Sequence, residues 1–157
     1  SQFVFYTEGG YDGDYDLNII GVRNITNPEP NVFDDKLIVA YTVNGIWYTE
    51  EAKITTDAGR YWLQKPDYKP QIRNVKYWRD GNKDQHADYI GKIHTGLIGL
   101  NLHRSSTREG GSKYVDKFSA GCQVFQNNVD FQRFLTLCEL QVSVMKYHTF
   151  TYTLIAE

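Results

Sequence analysis

Two cysteines and four histidines occur among the 157 residues, and one Cys–His pair sits at a spacing that suits covalent catalysis. Cys122 lies in "FSAGCQVF", a turn of small residues feeding an apolar run, and His103 closes the apolar run "GLIGLNLH". A cysteine nucleophile needs a thiolate, a base that generates it, and donors for the oxyanion formed on attack. An unaided thiol, with a pKa of about 8.5, is mostly protonated near neutrality, and a histidine partner can lower that to roughly 3–4. His103 at a strand end would have a fixed backbone. The eighteen residues between the two positions suffice for a loop that brings the chain back beside it. Gly121 lets the backbone approach a substrate carbonyl with no Cβ in the way, so the amides of Gly121 and Cys122 are candidate oxyanion donors. His94, in "GKIHTGL", is a rival base or a second polar group in the same cleft. His86 and His148 read as structural or exposed. The same residues admit a plainer reading, in which His103 is a hydrogen-bonded strand end and Cys122 packs in the core beside Val124 and Phe125.

The second thiol reads differently. In "FQRFLTLCEL", Phe131, Phe134, Leu135 and Cys138 fall at helical spacing, which places Cys138 on a buried apolar face. Residue count alone allows a Cys122–Cys138 disulfide. No close ligand pairing such as C-x-x-C occurs, so neither a structural zinc nor any other metal or cofactor is expected.

These residues must be positioned by a fold that reads as mostly β. Residues 17–23 ("LNIIGVR") and 35–54 ("DKLIVAYTVNGIWYTEEAKI") are rich in β-branched and aromatic residues, and Asn44-Gly45 splits the second run as a hairpin turn. Residues 24–35, "NITNPEPNVFDD", form a surface loop, and "TTDAGRYWLQKP" is a turn with a short aromatic segment. The polar stretch 68–90, with Asp80-Gly81, reads as a β-ribbon or an ordered loop. A buried strand is expected over 96–103, then a glycine-rich, charged loop over 104–118. A helix capped by Asn127 or Asn128 follows over 127–143, and an alternating strand over 147–155 closes the chain. The length fits one domain, residues 1–157, with a single core. Aromatics reach 15%; they suit a β core, and also leave open a carbohydrate-binding surface.

Charge and hydropathy exclude other classes. Net charge is −2 with Lys and Arg scattered, which gives no footprint for nucleic acid. No run approaches the roughly 20 apolar residues of a membrane span. No basic segment with an apolar stretch opens the sequence, so no secretion signal is expected in this chain.

"NLHRSS" followed by "FSAGC" resembles the signature of L,D-transpeptidase domains, cysteine enzymes of bacterial peptidoglycan: a strand ending in His-Gly-Thr or His-Gly-Ser, then Ser-His-Gly-Cys. The matching positions are His103, Ser119, Gly121 and Cys122. Together with "LNIIGVRN", "FDDK" and "TTDAGRYWL", the chain is similar over most of its length to compact members found in phage and some bacterial genomes. The resemblance implies an L,D-transpeptidase-like β-sandwich with one clear helix near the C-terminus. It further implies acyl transfer on peptidoglycan stem peptides through a Cys122 thioester, with His103 as base. The histidine would be oriented by a nearby backbone carbonyl, with Ser105 as local candidate, while Ser119 holds the turn.

The pattern also departs from the family. Ala120 replaces a histidine, and Gln123 stands where an aliphatic residue is common. Arg104 replaces a glycine and would narrow the cleft or offer a cation to a substrate carboxylate. A non-catalytic alternative keeps the fold as a virion component that binds peptidoglycan or other virion proteins. Either reading implies a virion-associated or cell-wall-facing location.

Overall fold

The computed structural model describes residues 13–64, 75–77, 94–96, 102–119, 122–146 and 150–156. The architecture follows from one hairpin and what pairs along it. β1 (Asn18–Arg23), β2 (Asp35–Val43) and β3 (Ile46–Thr55) run antiparallel in sequence order. The β2–β3 connection is Asn44-Gly45, with φ of 51° and 76°. Positive φ at both central residues defines the tight turn whose twist matches the flanking strands. Asp14 secures it by accepting from the amides of Asn44 (2.7 Å) and Gly45 (3.2 Å).

A single helical turn, α1 (Arg60–Leu63), follows the hairpin. β4 (Val75–Tyr77) and β5 (His94–Gly96) pair antiparallel as a separate ribbon; β4 lies within the polar stretch 68–90, and β5 lies beyond it. β6 (Leu102–Arg104) and β7 (Gln123–Phe125) are short and parallel to each other. They join the sheet where β7 pairs with the end of β3, through Ile54–Phe125 and Thr55–Val124. The long helix α2 (Asn128–Met145) comes next. β8 (Thr151–Ala156) then runs parallel to β1. The strand order β6-β7-β3-β2-β1-β8 makes one curled, mixed sheet of six strands. The described residues are therefore mostly β, with one long helix late in the sequence.

α2 starts where its sequence allows. The Asn127 side chain accepts from the Val129 amide at 2.8 Å, satisfying one of the unpaired donors of the first turn. It ends at Lys146 in a left-handed conformation. Phe134, Leu137 and Gln141 face the sheet, whereas Leu135, expected on that face, is exposed, because it lies one position past the inward row. Cys138 packs at the margin of the core, and both cysteines are free thiols, so the disulfide allowed by count does not form.

The sheet has two different faces because successive side chains alternate. Leu17, Ile19, Leu37, Val39, Tyr41, Ile54 and Phe125 form the core against α2. Phe125 sits at its centre, fully buried, 5.3 Å edge-on from Phe131 and 5.2 Å from Phe134. Truncating a ring packed this way costs about 3–5 kcal/mol. On the opposite face Phe33, Val115 and Val124 form a smaller cluster, with Phe118 and Cys122 packed against it. His103, partner of Val124 across β6–β7, lies on this second face.

Candidate active site

Strand register brings the two predicted residues together. His103 is the partner of Val124 across the parallel β6–β7 pair, and paired residues share a face. Cys122 stands two residues before Val124 and therefore points the same way, and it packs against the same small cluster. The thiol hydrogen-bonds the imidazole. Both side chains are partly exposed, so the sulfur is neither sealed in the interior nor turned to a different face.

The hydrogen bonds assign the imidazole nitrogens. Nδ1 of His103 lies 3.0 Å from the carbonyl oxygen of Arg104. A carbonyl only accepts, so Nδ1 carries a proton and donates, which leaves Nε2 for the thiol. The Cys122 hydrogen bond is the largest influence on the imidazole and holds its pKa above the ordinary 6.5. Burial acts in the opposite direction, and the Arg104 carbonyl and the charge of the Cys122 thiolate both add to the rise. Cys138 shows the contrast. Packed against apolar neighbours, its thiol is pushed up to about 11 by burial, and it is inert near neutrality.

Ser119, three residues before Cys122, is held from both sides. Ser119 is fully buried, and its Oγ donates to the Cys122 carbonyl at 2.8 Å. Its own carbonyl accepts from the Gly59 amide at 2.9 Å. Gly59 has no room for a side chain, since a Cβ would come within 1.9 Å of the Asp116 carbonyl oxygen. Asn31 ties this wall together. Its Oδ1 accepts from the amides of Arg60 (2.9 Å) and Asp116 (2.8 Å), and its Nδ2 donates to the Asp116 carboxylate at 2.7 Å. The loop between His103 and Cys122 is thus built onto the 26–34 loop through side-chain and backbone bonds, including Val115 N to Asn31 O at 2.9 Å.

The remaining sequence candidates are distributed as follows. Ser105 does not orient His103: it is buried, its amide donates to Phe125 O and its hydroxyl to Gln126 O, both at 2.9 Å. That role falls to the carbonyl of Arg104. The Arg104 side chain itself, expected at the cleft, lies on the α2 face, because neighbours on a strand point to opposite sides. There its guanidinium donates to Asn128 Oδ1 at 3.1 Å and lies 5.8 Å from the Phe131 ring centroid. His94 contributes its backbone to the β4–β5 ribbon, opposite Tyr77, a sheet separate from the one that carries Cys122. Gly121, Ala120, His86 and His148 lie outside the described residues.

Sequence reasoning missed the roles of Asn31, read only as loop, and of Gly59, read only as part of a turn in "TTDAGRYW". Among the described residues no group of three or more His, Cys, Asp or Glu is arranged to hold a metal, and no helix is long and apolar enough to cross a membrane. A shallow hollow between α2 and the β2–β3 hairpin, lined by Glu50, Glu51, Asp130 and Arg133 among others, does not include His103 or Cys122. No protein-family model matches the chain, and no curated protein or solved structure is significantly similar to it.

Proposed function

We propose that the chain is a cysteine acyltransferase of the L,D-transpeptidase type, acting on peptidoglycan stem peptides, in a fold related to that family's β-sandwich. The observation that carries this reading is the thiol–imidazole hydrogen bond on the partly exposed face of β6 and β7.

In this mechanism Nε2 of His103 takes the Cys122 proton as the sulfur attacks the scissile carbonyl carbon. The C=O π pair moves onto oxygen, where backbone amides at the nucleophile turn, those of Gly121 and Cys122, stabilise the charge. Collapse breaks the C–N bond. The imidazolium returns its proton to the departing amine, and a thioester remains on Cys122. An acceptor amine then yields a cross-link; water yields a cut peptide. We favour cutting, in line with the compact phage-type resemblance.

The test is turnover of defined stem peptides by the wild type and by Cys122→Ala, with intact-mass detection of the acyl adduct. The wild type should accumulate a thioester on Cys122 and release amine, while the variant should do neither and keep its fold. Undiminished cleavage by Cys122→Ala would sink the assignment. Binding of wall fragments without any adduct would place the protein among non-catalytic virion or wall-binding components.

A further inference from the structure

The residue directly after the nucleophile is tied to the far edge of the sheet. Gln123 is 3% exposed, and its side-chain oxygen accepts from the Tyr152 hydroxyl at 2.6 Å. β7 and β8 are separated by β3, β2 and β1. In a flat sheet four inter-strand spacings would hold them about 19 Å apart, beyond the reach of the two side chains. The bond exists because the sheet curls.

Sequence makes room for it. Gly21 lies between them, and a Cβ there would come within 2.0 Å of the Tyr152 hydroxyl oxygen. The phenol crosses the concave face through the space that glycine leaves. Burial pushes its pKa up, which keeps the proton on oxygen and makes Tyr152 a permanent donor. Gln123 and Leu102 are partners across β6–β7, next to the His103–Val124 pair. Whatever fixes Gln123 thus fixes the strand end from which the sulfur projects toward His103.

We propose that Tyr152 is a positioning residue for Cys122, acting through Gln123 to set the alignment of thiol and imidazole. The proposal rests on the paired thiol–imidazole reading of the site. A plain structural brace would stabilise the fold without altering reactivity once folded; a positioning residue does both.

The experiment measures alkylation of Cys122 by iodoacetamide from pH 5 to 9 in wild type, Tyr152→Phe, the double variant Tyr152→Phe/Gln123→Leu, and His103→Ala. All are assayed where circular dichroism shows the native fold. Removing only the hydroxyl strands a buried acceptor and lowers stability; replacing both partners by apolar groups restores much of it. The double variant therefore keeps the test valid if Tyr152→Phe folds poorly. We expect both variants to react roughly tenfold or more slowly near pH 6.5, with the inflection displaced toward that of an ordinary thiol. A wild-type pH profile and rate in the folded double variant would overturn the proposal. His103→Ala separates the two levels of argument: if it leaves the wild-type profile unmoved, the Cys–His pairing fails; if it shifts the profile while the Tyr152 variants do not, only the positioning role fails.

Discussion

Gly59→Ala is the substitution that most directly probes how Cys122 is held. The added Cβ would lie 1.9 Å from Asp116 O, 2.7 Å from its carbonyl carbon and 2.8 Å from its amide nitrogen. These are backbone atoms, and the peptide is anchored by Asn31 on both its amide and its carboxylate. Relief requires a movement of more than 1 Å by residue 116 or by the 57–60 segment. Either movement pulls on the Gly59 N to Ser119 O bond, and through Ser119 on the Cys122 carbonyl. Overpacking of this kind costs about 3 kcal/mol, and displacement of a reacting group by an ångström costs roughly a hundredfold in rate. Urea denaturation gives the first quantity, and iodoacetamide alkylation of the folded protein at pH 7 gives the second. Thr107→Ala, exposed in the loop after His103, is the control and should change stability by no more than about 0.5 kcal/mol. The reasoning fails if Gly59→Ala loses stability as expected yet its folded form alkylates at the wild-type rate. The loop would then support the fold without aligning the sulfur.

Four other outcomes follow from the same geometry. Cys122→Ala removes the largest cause of the raised His103 pKa and leaves burial acting against it, so the imidazole resonance followed by NMR should titrate at lower pH than in the wild type. A histidine raised on folding contributes stability that is complete below about pH 6.5 and is lost as pH climbs through the folded value; the denaturation margin of wild type over His103→Ala should shrink over that window. Asp35→Ala strips the acceptor from the amides of Asn24 (2.8 Å) and Thr56 (2.6 Å) and from the Thr56 hydroxyl (2.7 Å). Stranding buried donors should cost about 3–5 kcal/mol, read as a lower urea midpoint. With the Cys138 thiol pushed up to about 11, one equivalent of alkylating reagent at pH 7 should label Cys122 alone, as peptide mapping would show.

Legibility differed with the range of the interaction that decides each feature. The β2–β3 hairpin was readable because two adjacent residues, Asn44 and Gly45, determine its turn. The start of α2 was readable because the Asn127 cap acts within two residues. Its inward row was only partly so: Phe134 faces the core while Leu135 does not, since an apolar residue next to the stripe carries no mark of its side. Of the strand expected over 96–103, Leu102 and His103 join the six-stranded sheet in β6, which runs on to Arg104, while Gly96 belongs to β5. The apolar composition of that run signalled burial but could not say where pairing begins. The curl of the sheet had no local signal at all. Gln123 and Tyr152 sit on strands four spacings apart in the sheet order, and only its curl brings them within a hydrogen bond.

At the site, chemistry was easier to read than orientation. A thiol and an imidazole announce themselves by residue type. The carbonyl that orients His103 does not, because every residue has one, and the choice between the Ser105 region and Arg104 depends on where Nδ1 points. Arg104 is the sharper lesson. Once His103 is placed on a strand toward the cleft, its neighbour must face the other side, and the guanidinium duly meets Asn128 and Phe131 of α2. The cation expected beside the thiol is thereby committed to the helix start. With Arg104 turned away, the hydrogen bond in which the His103 imidazolium donates to the Cys122 sulfur is the largest cause of the raised imidazole pKa, because it favours the charged form of the ring.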